Sequence, residues 1–118
     1  MSDVKRKAAL LELKGKTYEL SLTLNLIDQM QERYGDMTEV FEKSKDIKEL
    51  RWILWAFVAE SIEIHNDDHP EDIWPELTEK QVGRMITVDN MPGVNAALFE
   101  AFRLSVPNSD ADEETEKN

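Results

Sequence analysis

Cysteine is absent from this chain, which excludes disulfides, thiolate nucleophiles and zinc sites built on sulfur. Glycine and proline are scarce, with four of each in 118 residues. No glycine-rich phosphate loop can be built from them, because Gly15 and Gly35 stand alone. No serine sits in a nucleophile elbow. The only histidines are His65 and His69, so an acid–base enzyme would have to use them or a carboxylate with a raised pKa. Long apolar runs are missing too. The longest covers residues 52–59, well short of the roughly 20 apolar residues that span a bilayer. Residues 1–7 are basic, but only residues 8–11 follow as an apolar patch, which does not make a signal peptide. A cytoplasmic protein is expected.

Positive charge is also in short supply. Fourteen Lys and Arg face 25 Asp and Glu, for a formal net charge of −11. That balance disfavours nucleic-acid backbones and anionic membranes as partners. The cluster Lys5-Arg6-Lys7 is too small for a nucleic-acid footprint. An acidic DNA-mimic inhibitor is conceivable from the charge. Such mimics need carboxylates at phosphate-like spacing, however, and much of the charge here falls in one loop and in the tail.

What the chain does have is a centre. Residues 52–59 read Trp-Ile-Leu-Trp-Ala-Phe-Val-Ala inside a segment that predicts one helix over 46–65. Asp46 and Glu49 have the spacing of a capping box. At about 100° per residue, an unbroken apolar run covers every side of a helix, whereas a surface helix needs one stripe. The pattern predicts a central helix packed on more than one side.

Upstream, Ala9, Leu11 and Leu13 alternate with polar or outward positions, as do Tyr18, Leu20, Leu22 and Leu24. Lys14-Gly15-Lys16 lies between them as a turn signal. Period 2 with one greasy face predicts a β-hairpin, which needs a helix against that face to be stable. The period then changes. Leu24, Ile27, Met30 and Tyr34 suit a helix capped by Thr23 or Asn25 and ended by Gly35. Asp36 can cap a short helix carrying Val40 and Phe41 on its inner side, and residues 42–45 read as a polar connection.

Downstream, residues 66–72 form an acidic loop, with Ile73, Trp74 and Leu77 pinning its far end. Thr78 and Gln81 predict a capping box for a helix with Val82, Met85 and Ile86 on its apolar side. Gly83 lies inside it at a cost of about 1 kcal/mol relative to alanine, which a close helix–helix approach would explain. Asn90-Met91-Pro92 opens the last helix, with Pro92 in the first turn. Val94, Ala97, Leu98, Ala101, Phe102 and Ser105 keep helical spacing, and Pro107 stops it. Residues 107–118 read as a disordered acidic tail carrying Asp110, Asp112, Glu113, Glu114 and Glu116. The expected fold is α+β, mostly α: a hairpin packed on four to five helices around the helix at 46–65. It forms one domain over 8–106, after a flexible stretch at 1–7.

Few residues suggest chemistry. Glu63, His65, Asp67, Asp68 and His69 place two histidines among carboxylates, so His65, Asp67 and His69 are weak candidates for a divalent metal. Their spacing matches neither a zinc-helix nor a calcium-loop motif, and the plainer reading is a solvated helix end, where Asp and His are common. No catalytic set is visible and no cofactor is implied. Trp52, Trp55, Phe57, Phe99 and Phe102 read as core. Trp74, in a proline-flanked acidic loop, is either an interface anchor or a ring tucked onto the core.

The order of motifs resembles a family. Leu13-Lys-Gly-Lys-Thr-Tyr-Glu-Leu20, Leu22-Thr-Leu-Asn-Leu-Ile27 and Glu32-Arg-Tyr-Gly35 are similar to the opening of tail assembly chaperones of long-tailed, siphovirus-type bacteriophages. There, a hairpin runs into a helix with a comparable stop. Leu50-Arg-Trp-Ile-Leu-Trp-Ala56 and Leu77-Thr-Glu-Lys-Gln-Val82 look like later segments of that family. The resemblance covers residues 9 to 106 and contains no catalytic residue. It implies binding to the tape measure protein, and to tail tube subunits, in the host cytoplasm. It also implies absence from the mature virion. Self-association through an uncovered apolar side is a further expectation. Trp52, Trp55, Trp74, Leu98 and Phe102 are the residues expected to touch the partner. The family often makes a longer form by ribosomal slippage, and Glu116-Lys117-Asn118 can be encoded by a slippery run. The alternatives to a chaperone are a small structural neck or tail component, another interaction module without catalysis, a DNA mimic and a metal-binding protein.

Overall fold

A computed structural model describes residues 8–105. The expectations for residues 1–7, for Pro107 and for the tail at 107–118 lie outside the described residues. The fold is α+β: an N-terminal two-stranded antiparallel hairpin packed against five helices.

Strands β1 (Ala9–Leu13) and β2 (Lys16–Leu20) pair with Ala9 opposite Leu20 and Leu11 opposite Tyr18. The two-residue loop puts Lys14 at φ 52° and Gly15 at φ 81°. Two successive positive φ values are what a tight primed hairpin turn requires. Alternation then sends Ala9, Leu11, Leu13, Tyr18 and Leu20 inward, all buried.

Helix α1 (Leu24–Tyr34) starts at Thr23 and not at Asn25. The Thr23 hydroxyl accepts from the Leu26 N–H at 3.2 Å and donates to Glu60 at 2.6 Å, so one side chain both caps α1 and ties it to the central helix. The Gly35 N–H closes the helix on the Gln31 carbonyl at 2.8 Å. Helix α2 (Met37–Lys43) is capped by Asp36, as the sequence predicts, and buries Val40.

Helix α3 (Ile47–Asp68) runs three residues beyond the expected end, taking in the first three of the seven residues expected to form the acidic loop. Asp46 caps it, accepting from the Lys48 N–H at 3.2 Å. Glu49 does not complete the box. It is drawn instead to α1, where the Tyr34 O–H donates to it at 2.7 Å and the Arg33 Nε and Nη2 at 3.1 Å. Three donors there, two of them from a guanidinium, outcompete the single backbone N–H of a capping contact. The central role of α3 follows from its packing. It lies against β2, α1 and α4, and no residue from 52 to 59 is exposed.

Helix α4 (Glu79–Arg84) begins with both halves of the Thr78–Gln81 capping box formed. A Cβ at Gly83 would sit 2.9 Å from the Arg51 Cδ, so the close approach there is to a side chain of α3. Helix α5 (Met91–Ser105) lies mainly against the hairpin, burying Val94, Ala97 and Ala101. It meets chiefly β1 while α3 meets β2, so the greasy sheet face is shared between two helices.

Candidate protein-interaction site

The residues expected to meet a partner divide into two groups, the three tryptophans and the α5 pair Leu98 and Phe102. Trp52 and Trp55 lie on one side of α3, half-buried. Trp52 packs edge-on to Tyr34, and the Arg33 guanidinium sits 4.5 Å from its ring centroid. The Trp55 Nε1–H donates to the Leu77 carbonyl at 2.8 Å. Both indoles therefore have internal partners.

Trp74 is tucked in as well. Its backbone N–H and C=O bond Asn66 at 2.7 and 3.0 Å. Its ring stacks on His65 with centroids 3.7 Å apart, meets Tyr18 edge-on at 5.7 Å, and has the Lys16 Nζ 4.2 Å away. The ring is packed against the core and stays partly exposed. The indole clamps the segment at 69–78 onto α3 and β2.

The same segment supplies neighbours to both histidines. The His65 Nε2 lies 2.8 Å from the Asp72 carbonyl oxygen, and His69 stands beside Glu71 at 3.4 Å. Asp67, two residues after His65 on a helix, points some 200° away from it. Among the described residues, no group of three His, Asp or Glu side chains is arranged to hold a metal ion. The polar cleft beside the clamp, with Glu19, His65, Asp68 and His69 on its walls, encloses about 100 Å³. Small-molecule sites usually measure about 300–1,000 Å³.

Leu98 and Phe102 belong to the other group, and with them the fold opens an apolar groove. Phe102 is buried against Phe57 and Phe41, with ring centroids at 5.5 and 4.6 Å. From this floor a cleft of about 510 Å³ opens between α2, the start of α3 and α5. It continues past Ile47, Leu50 and Met91 into a second cleft of about 310 Å³ against α4, and over Met91 onto the turn at 86–92.

Four large apolar side chains stand exposed along it: Val88 at 89%, Ile47 at 68%, Phe99 at 64% and Phe41 at 39%. The expectation that Phe99 is core is therefore wrong. Phe99 follows Leu98 directly, so the turn of the helix carries it past the stripe that meets the hairpin. Ile47, Ile86, Val88 and Met91 carried no sequence signal as partner residues. The available hint was the width of the apolar face of α5, which at Met91, Leu98, Phe99 and Phe102 exceeds what one packing partner can cover.

Its charge sets the groove apart from the rest of the molecule. Lys45, Arg51, Lys80 and Arg84 line it, and no carboxylate does, in a chain where acids outnumber bases by 25 to 14. Arg51 is paired with Glu79 at 3.1 Å and Lys45 with Glu42 at 3.5 Å. Among the described residues, no helix is long and apolar enough to cross a membrane. Comparisons with protein-family models, curated proteins and solved structures found no match.

Proposed function

We propose that this protein is a phage tail assembly chaperone that binds the tape measure protein before the tail is built and acts by contact, without catalysis. The observation that carries the reading is the exposed apolar groove between α3 and α5 on a small, highly charged molecule. A long helical chain awaiting assembly exposes apolar stripes, and a groove of this kind accepts the face of an amphipathic helix. The surrounding net charge of −11 keeps the coated complex apart from its neighbours. Tail tube subunits are a second class of partner in this reading. The chaperone works in the host cytoplasm and leaves before the virion is complete.

The test is co-expression with the tape measure protein of the same phage. A chaperone raises the soluble fraction of that chain, co-purifies with it, and is missing from finished particles. A tape measure protein that stays insoluble, or particles that retain this chain in stoichiometric amounts, would point instead to a structural tail component.

A further inference from the structure

The charge of the groove specifies its occupant further than its apolar floor does. Lys80 and Arg84 lie one helical turn apart on α4, both exposed. Among the described residues neither has an ion-pair partner. They border the same cleft as Leu50, Leu54 and Met91, so an apolar stripe seated there would hold its flank against two cations. No carboxylate lines the groove to oppose a negative flank. The molecule as a whole pulls the other way, because a net charge of −11 attracts basic segments and repels acidic ones at long range.

From this juxtaposition we infer that the groove selects an amphipathic helix of another chain whose apolar stripe is flanked by Asp or Glu, seated with that flank on Lys80 and Arg84. The inference rests on the reading above in taking the occupant to come from a partner chain, and it adds the chemistry by which a segment is chosen. Contacts at the rim of an interface set specificity and register more than raw affinity, so the apolar floor holds the helix while α4 decides which helix and in which direction.

The experiment uses the full chain and two synthetic amphipathic peptides with an identical apolar stripe, one flanked by Glu and one by Lys. Binding is read by fluorescence anisotropy at moderate salt. The Glu-flanked peptide is expected to bind about tenfold tighter. The double variant Lys80→Glu/Arg84→Glu removes or reverses that preference, and Phe99→Asp weakens both peptides by about tenfold or more. All of these positions are exposed, and unchanged circular dichroism verifies the fold of each variant.

Equal binding of the two peptides, or preference for the Lys-flanked one, overturns the inference. So does a chain that dimerises in sedimentation and becomes monomeric on Phe99→Asp, because a second copy would then fill the groove. Tape measure solubility, measured in parallel, separates the two levels. Rescue with no peptide preference sinks only the acid-flank rule. Selective peptide binding with no rescue sinks only the chaperone reading.

Discussion

Tyr34 and Lys14 carry chemistry at single positions that the alternation of apolar and polar residues does not reveal. Burial and the hydrogen bond to Glu49 push the Tyr34 hydroxyl up to about 12. The Tyr34 O–H, and after it the Arg33 guanidinium, hold the Glu49 carboxyl below its ordinary value of 4.5. A carboxylate depressed in the fold stabilises above its unfolded value, and that contribution disappears as pH falls through the folded one. A phenol raised in the fold stabilises below 10.0 and loses its contribution as pH rises toward 12. Tyr34→Phe is expected to cost about 1 kcal/mol at neutral pH. It should also flatten both the acid fall below pH 4.5 and the alkaline fall above pH 10, as seen in urea titrations across pH. Equal pH profiles for the two proteins would refute this account of the Tyr34–Glu49 bond. Lys14 holds a positive φ of 52°, where asparagine is tolerated and lysine strained. Lys14→Asn should therefore raise stability by roughly 0.5–1 kcal/mol, measurable as a higher denaturation midpoint.

Among the elements, those legible in the sequence are the ones whose reasons are local. The hairpin follows from alternation around Lys14-Gly15. The caps at Asp36, Asp46 and Thr78 follow from side chains within three residues of the N–H groups they satisfy. Contacts between distant segments were not legible. Glu49 left its expected local partner for Tyr34 and Arg33 of α1. Helix α3 ran on to Asp68 because Asn66 and His65 are fixed by the returning segment at 72–74. Helix α5 carries two apolar faces, one against the hairpin and one at the groove, and periodicity shows only that its stripe is wide. Helix α4 depends most on its cap, having only six residues. Thr78→Ala removes a side-chain acceptor from the Gln81 N–H and should cost about 1 kcal/mol. It should also weaken partner binding, because α4 presents Lys80 and Arg84. A variant with normal stability but altered binding would instead place Thr78 in the contact itself.

The whole molecule separates an acidic exterior from a groove free of carboxylates. That separation is not readable from the net charge, because Lys45 of the α2–α3 connection, Arg51 of α3, and Lys80 and Arg84 of α4 come together only when the helices pack. The tryptophans, which the sequence marks most strongly, pack partly buried against the core, and the most exposed apolar side chains along the groove are plainer residues, Ile47, Val88 and Phe99. The most direct test places a photoreactive phenylalanine analogue at Phe99 or at Leu10, which are almost equally exposed at 64% and 65% but lie on the groove and on the outer face of the hairpin respectively. Illumination of the complex with the tape measure protein should give crosslinks from position 99 and few from position 10. Crosslinks from position 10 with none from position 99 would contradict the groove as the site of contact.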